Sequence, residues 1–398
     1  MEQILLKSAR LVQNQSLSFQ RSLAQSIDWA DRLIGIVGAR GTGKTTLMMQ
    51  QLKQKNTPTH IAAYATLDDI YFTENRLVSF AESFLQLGGR FLYLDEVHKY
   101  PDWAREIKNL YDAYPELHIV FSGSSIVDML KENADLSRRA VQYELAGLSY
   151  REYLAFTDVY VTPPVSLTDV LANHTSIAAE ITTHIKPLQF FADYLNTGYY
   201  PFFAENKNTY SLRLDQLIKT IVENDLRFIE GFDVANTRKI YQLLYVLAAN
   251  VPFKPNVTKL SEKIGLHRNT LVQYLHYLDK ARLINTLAAA GRSTSTLQKP
   301  DKIYLENTNL QDVLSPEKAN RGTQRETFAM NQLVNAGHSV ALPLTGDFLI
   351  DETYTFEIGG KDKSTNQIKS TPHSFVVADD LEAGLLNKIP LWLLGFLY

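Results

Sequence analysis

The sequence of 398 residues predicts an α/β protein whose N-terminal part is a parallel sheet covered by helices. Three observations carry that prediction. Short β-like runs at Leu33–Val37, Ile61–Thr66, Phe91–Leu94 and Ile119–Ser122 alternate with helical stretches, the pattern of strand–helix–strand units. The first run opens directly into a glycine-rich turn. The third ends in two acids, Asp95 and Glu96. Beyond the sheet the pattern changes, and four parts are expected: 1–150, 151–235, 236–295 and 296–398. The second loses its strand runs and reads as mainly helical, the third as a compact helical unit, and the fourth returns to mixed α and β. Residues 1–31, polar with scattered Leu, predict a leading helix, and Gly291–Thr296 reads as a flexible break.

Composition narrows the function classes. Hydrophobic residues make up 45% and charged residues 21%, an ordinary globular balance that argues against a disordered chain or a coiled coil. Lys plus Arg is 40 against 43 Asp plus Glu, so any nucleic-acid contact must come from a local patch. Cysteine is absent, which excludes a disulfide framework, a thiolate nucleophile and a cysteine-built zinc site. The nine His show no metal-binding spacing. No run is long and apolar enough to span a membrane, and the first residues lack a signal-like stretch, so a cytoplasmic protein is expected. The apolar tail Leu391–Tyr398 reads as a buried terminal strand.

The turn after Leu33–Val37 is Gly38-Ala39-Arg40-Gly41-Thr42-Gly43-Lys44-Thr45, followed by Thr46. It matches the P-loop pattern G-x-x-x-x-G-K-[ST]. Its glycines let successive N–H groups curl toward a triphosphate, and the helix that follows presents its positive end to the same anion. Residues 38–46 are therefore expected to bind ATP, with Lys44 reaching the β- and γ-phosphates and Thr45 offering its hydroxyl to Mg²⁺. A buried strand that ends in acids puts them at the carboxyl edge of the sheet, where ligands bind. Asp95 would then hold Mg²⁺ through water, and Glu96 would polarise the attacking water. Ile119-Val-Phe-Ser122 ends the next strand, and Ser122 is the candidate sensor between Glu96 and the γ-phosphate. Arg138 and Arg139 follow as candidates for completing transition-state charge on a neighbour's nucleotide; the alternative is a solvated surface. His98, Lys99 and Tyr100 either contact a ligand or cover a helix.

Taken with Gly123-Ser124-Ser125, the stretch Glu144–Tyr153 and the stretch Tyr194–Phe202, these motifs resemble a large prokaryotic family of AAA-type (AAA+ superfamily) P-loop ATPases whose C-terminal region is a domain of unknown function. The resemblance runs over nearly the whole chain. It implies an AAA+-like core, a helical lid, a winged helix and a C-terminal domain similar to restriction endonucleases. It implies ATP use and gives no biological role.

Residues 258–284 read as a helix-turn-helix, with a short helix, a turn at Gly265 and a longer helix from Arg268. Leu271, Leu275 and Leu278 form the inner face of the longer helix. Arg268, Asn269, Gln273, His276 and Lys280, with Tyr277, are the candidate DNA contacts, since such residues meet base edges and phosphates. From 254 to 282 six Lys/Arg stand against two acids, a local surplus of four in a chain of net charge −3. A winged helix serving as an interdomain adaptor is the competing reading.

In the last part, Glu326, Asp347 and Glu357 have the order of nuclease carboxylates, and Lys361 is the candidate lysine. An E-x-K pattern would need Lys at 359, where Gly359 stands, so nuclease activity is not expected and a vestigial site is. The function expected is Mg²⁺-dependent ATP hydrolysis that rearranges appended DNA-binding-like domains. The alternative is a slow signalling switch whose winged helix binds a protein partner. An oligomer is compatible with either.

Overall fold

The computed structural model describes residues 1–125, 136, 138–229, 231–291, 299–318 and 320–398. The chain divides into two compact units. The first comprises Met1–Gly147 and Asn224–Phe232, the second Leu148–Glu223 and Asp233–Tyr398.

The first unit is built on a five-stranded sheet. Its strands are β1 (Leu33–Gly38), β2 (Ala62–Thr66), β3 (Phe91–Asp95), β4 (His118–Ser124) and β5 (Val141–Glu144). The order is β2-β3-β4-β1-β5, and every pairing is parallel. All six residues of β1 are buried, as expected of a strand with both faces covered. Leu33 and Val37 pack on one face with Phe80, Phe84, Trp103 and Ile107, from the helices Leu77–Gln86 and Trp103–Ala113. Ile34 and Ile36 pack on the other with Leu47, Met48 and Leu52 of the helix Lys44–Lys55. Gly35 between them leaves room for a ring, since a Cβ there would come 2.7 Å from Phe121 Cζ. The four strands expected from the sequence are present. β5 was not expected: three of its four side chains are exposed, so it carries no apolar run to read. The leading helix is Glu2–Asn14, with a short turn of helix at Leu23–Ser26.

The second unit begins with helices, as its sequence predicts. Tyr150–Phe156 opens on a capping box between Ser149 and Glu152, and Leu167–His184 opens on the Ser166 side chain. Pro187–Asp193 starts on its proline, where the missing N–H costs nothing. Helices Thr237–Ala248, Val257–Ile264 and Arg268–Lys280 follow, and then an antiparallel pair, β6 (Ile284–Leu287) and β7 (Lys302–Leu305). Gly265 takes φ +70°, the left-handed turn between the second and third of these helices. Of the expected break, residues 292–296 lie outside the described residues.

A second sheet closes the chain: β8 (Val340–Ala341), β9 (Phe348–Ile350), β10 (Tyr354–Gly359), β11 (Ser374–Ala378) and β12 (Lys388–Pro390). Its order is β12-β11-β10-β9-β8, parallel among β10, β11 and β12 and antiparallel beyond. The apolar tail is not the strand expected. The strand stops at Pro390, and Leu391–Phe396 coil into a buried 3₁₀ helix. A run buried on every side has no period to read, and a proline cannot donate to a ladder. A Cβ on Gly395 would come 2.4 Å from Tyr150 Cβ, so the tail lies close against the Tyr150–Phe156 helix.

Candidate active site

β1 delivers the chain into the loop at Gly38, whose φ of +152° and approach to Leu145 O leave no room for a side chain. Gly41 and Gly43 take φ +83° and +99°, which glycine alone adopts at little cost. The Lys44–Lys55 helix begins at once, with its free N–H groups at the loop. The buried Lys44 ammonium donates to Gly38 O (2.8 Å) and Ala39 O (2.9 Å), and burial lowers its pKa against the pull of Glu96 and Asp95. Thr42 Oγ1 donates to Ala39 O at 2.9 Å. Arg21, which the sequence did not single out, ties the loop down: it donates to Thr42 O (2.8 Å), Ala146 O (2.8 Å) and Gly147 O (2.9 Å).

Beside the loop, β3 ends at the buried Asp95. Thr45 Oγ1 donates to its Oδ2 at 2.6 Å, and Tyr64 Oη donates to the same oxygen at 2.7 Å. Ser122 Oγ donates to Oδ1 and accepts the Glu96 N–H at 3.3 Å. Ser122 thus braces the Asp95 carboxylate. Burial and the neighbouring carboxylate push the Tyr64 phenol far above its ordinary value, so it stays a donor. The oxygen-only donor set of Thr45 and Asp95 fits a small hard cation such as Mg²⁺.

Glu96 follows with φ +54°, a turn that carries its carboxylate away from the strand line. Two cations and a histidine surround it. Arg40 stands at 3.4 Å, Lys99 at 3.5 Å and His98 Nε2 at 3.7 Å from Oε2. Burial raises the pKa of Glu96, but its charged neighbours outweigh it, Arg40, Lys44 and Lys99 together with His98 when that ring is protonated, and hold the carboxyl below its usual range. Burial pushes His98 down to about 4, so it is neutral at neutral pH. The Ser124 N–H donates to His98 Nδ1 at 3.4 Å, which leaves the ring proton on Nε2, toward Glu96. Lys99 also pairs with Asp68. Arg40 Nε reaches Asp225 Oδ2 at 3.3 Å. Burial lifts Asp225 to about 6 despite Arg40. No motif marks Asp225 or Tyr64, because each meets the site only through the fold.

Arg139 makes a two-point pair with Asp112, 2.9 Å in each arm, and Arg138 is exposed. On Arg268–Lys280, Leu271, Leu275 and Leu278 are buried as expected, and Arg268, Asn269 and Lys280 are exposed. Gln273 and His276 are half-buried. Tyr277 does not belong to the polar face: it is buried, and its hydroxyl accepts from Gln273.

In the last part, Glu326 accepts from Tyr304 Oη (2.8 Å) and Lys302 Nζ (3.5 Å), and that ammonium stands 3.9 Å from Asp347. Asp347 also accepts the Ile358 N–H at 2.8 Å. Burial and Asp347 raise the pKa of Glu326. Glu357 pairs with Lys363, and not with Lys361, whose carbonyl accepts from Lys388. The spacing could not show this, because the chain turns back after Gly360. Among the described residues no group of three or more His, Cys, Asp or Glu is arranged to hold a metal ion. Among them, too, no helix is long and apolar enough to cross a membrane.

The parallel sheet, the loop on β1 and the acids on β3 form a P-loop ATPase core, and residues 30–154 match the sequence family described as AAA domain. Over those residues the chain is similar to AAA domains, and the first unit has the α/β fold of a P-loop NTPase. Residues 188–319 match a second family, described as Domain of unknown function (DUF8612). An uncharacterized protein of Methanocaldococcus jannaschii is 27% identical over 287 residues, covering 68% of this chain. The chain spans 60% of that relative's length. Two solved structures show weak likeness. AMPPCP-bound DnaA from Aquifex aeolicus has a TM-score of 0.27 and 13% identity, covering 68% of this chain and 86% of that one. PCH-2 of C. elegans has a TM-score of 0.23 and 16% identity, covering 39% and 45%. At such values neither bears on fold or function.

Proposed function

We propose that the first unit binds and hydrolyses ATP with Mg²⁺, and that hydrolysis rearranges appended DNA-binding-like domains in a cytoplasmic, DNA-associated ATPase. The observation that carries this reading is the convergence of Lys44, Thr45, Asp95 and Glu96 on one loop mouth. Residues 38–46 would cradle the triphosphate, Lys44 exchanging its two carbonyl partners for phosphate oxygens. Thr45 and Asp95 would hold Mg²⁺, which supplies positive charge to the phosphate oxygens as charge moves off the γ-phosphoryl group. Glu96, ionised and close to Arg40, would orient and deprotonate the attacking water. Ser122 would keep Asp95 and the Glu96 backbone in register.

In this reading 236–295 is a winged helix and 296–398 a restriction-endonuclease-like domain without nuclease activity, with 151–235 as a helical lid. Support for DNA contact comes from Arg268, Asn269 and Lys280, exposed on one helix, and from the basic surplus around them. A second reading, a slow switch whose winged helix binds protein, draws support from the buried Tyr277, which narrows that polar face. The test is the ATPase rate of the purified protein with Mg²⁺, with and without duplex DNA, at two salt concentrations. Turnover that needs Mg²⁺ and is stimulated by DNA, less so as salt rises, is expected. Turnover indifferent to DNA removes the DNA arm and leaves the switch.

A further inference from the structure

We propose that Asn224–Phe232 form a nucleotide-responsive latch on the ATPase unit, held by the Asp225–Arg40 pair and released when Arg40 turns to the γ-phosphate of ATP. This rests on the ATP-binding reading above. The first observation is topological. The segment is flanked on both sides by chain of the second unit, 148–223 and 233–398, yet it packs with the first. Its anchors are specific. Leu226 is fully buried, and Phe228 sets its ring edge-on to His98 at 5.7 Å. Asp225 is fully buried, and its Oδ2 meets Arg40 Nε at 3.3 Å. Its other oxygen, Oδ1, is buried with no hydrogen-bond partner among the described residues.

The second observation is that one guanidinium serves two acids. Arg40 lies inside the phosphate loop and holds Glu96 at 3.4 Å as well as Asp225. A triphosphate arriving in that loop offers the guanidinium more charge and several oxygens, so it competes with both carboxylates. Once Arg40 turns, Asp225 is a buried carboxylate without its cation. Such a charge is not tolerated in a protein interior: neutralising it in place takes up a proton, and where the charge is kept, the segment that carries it moves into water. Glu96 is freed from Arg40 in the same step. The latch therefore passes the state of the γ-phosphate to chain on both sides of it, through covalent continuity.

Hydrogen–deuterium exchange on the full chain tests this, with Mg²⁺ and no nucleotide, ADP or the non-hydrolysable analogue AMP-PNP. The backbone bonds Ile229 N–Leu226 O and Phe232 N–Ile229 O, both 3.1 Å, make the segment readable. With AMP-PNP, residues 38–46 are expected to gain protection while amides of 226–232 exchange about tenfold faster, and ADP is expected to protect the loop alone. Arg40→Gln is expected to show the fast exchange without nucleotide. Asp225→Asn, with no charge to expel, is expected to keep the segment protected even when AMP-PNP protects the loop. A protected loop with unchanged exchange at 226–232 in the unmodified protein overturns the latch and leaves ATP binding standing. So does an Asp225→Asn protein that releases the segment as the unmodified one does. A loop that no nucleotide protects overturns the ATP reading, and the latch with it.

Discussion

Four polar groups converge on the Asp95 carboxylate: the hydroxyls of Thr45, Tyr64 and Ser122 and the Glu96 N–H. Groups that orient a metal-binding carboxylate matter nearly as much as the carboxylate itself. Tyr64→Phe keeps the ring in the core and removes one donor. It is expected to raise the Mg²⁺ concentration for half-maximal ATPase by about tenfold, with the fold intact. An unchanged Mg²⁺ requirement would reduce Tyr64 to a packing residue. His98 gives a stability prediction of definite sign. Its pKa falls from 6.5 unfolded to about 4 folded, so the native state binds fewer protons between those values. The stability it contributes is present above pH 6.5 and is lost as pH falls toward 4, a loss of about 3 kcal/mol. Denaturant titrations of His98→Gln at several pH values are expected to lose that component of the acid slope. A slope equal to the parent's would mean that His98 titrates as in the unfolded chain.

Among the elements, Arg268–Lys280 carries the sharpest prediction. Arg268 and Lys280 are exposed at its two ends, where phosphate contact needs no rearrangement. Replacing both with Ala is expected to lower duplex affinity evenly across sequences and to flatten the salt dependence by about two units of slope. A filter or anisotropy titration over a salt series reads both, and an unaltered slope would place any DNA contact elsewhere. The elements also show what a sequence can disclose. β1, β3 and the Lys44–Lys55 helix were legible because apolar runs and a motif with fixed offsets lie within a few residues of each other. β5 was not, because an exposed strand is chosen by its neighbour in the sheet and not by its own side chains. The tail is ambiguous for the opposite reason: a wholly apolar run fits strand and 3₁₀ helix alike. The same division holds in the site. Lys44, Thr45, Asp95 and Glu96 announce themselves by local pattern. Tyr64 and Asp225 reach Asp95 and Arg40 across separations of 31 and 185 residues, which only the fold can close.

Across the whole molecule, the residues proposed for ATP hydrolysis all lie in the first unit, and the sequence matches follow a related division: one covers 30–154 and the other 188–319. In the proposed reaction Glu96 activates the water that hydrolyses ATP held by the loop. The direct measurement is nucleotide recovered from the protein after incubation with Mg²⁺ and ATP, for the unmodified chain and for Glu96→Gln. Glutamine keeps the shape and removes the base, so turnover is expected to fall by about 10²–10⁴-fold. The variant should then yield bound ATP where the unmodified protein yields ADP. A Glu96→Gln protein that turns ATP over at the unmodified rate, and releases ADP as readily, would remove Glu96 as the base.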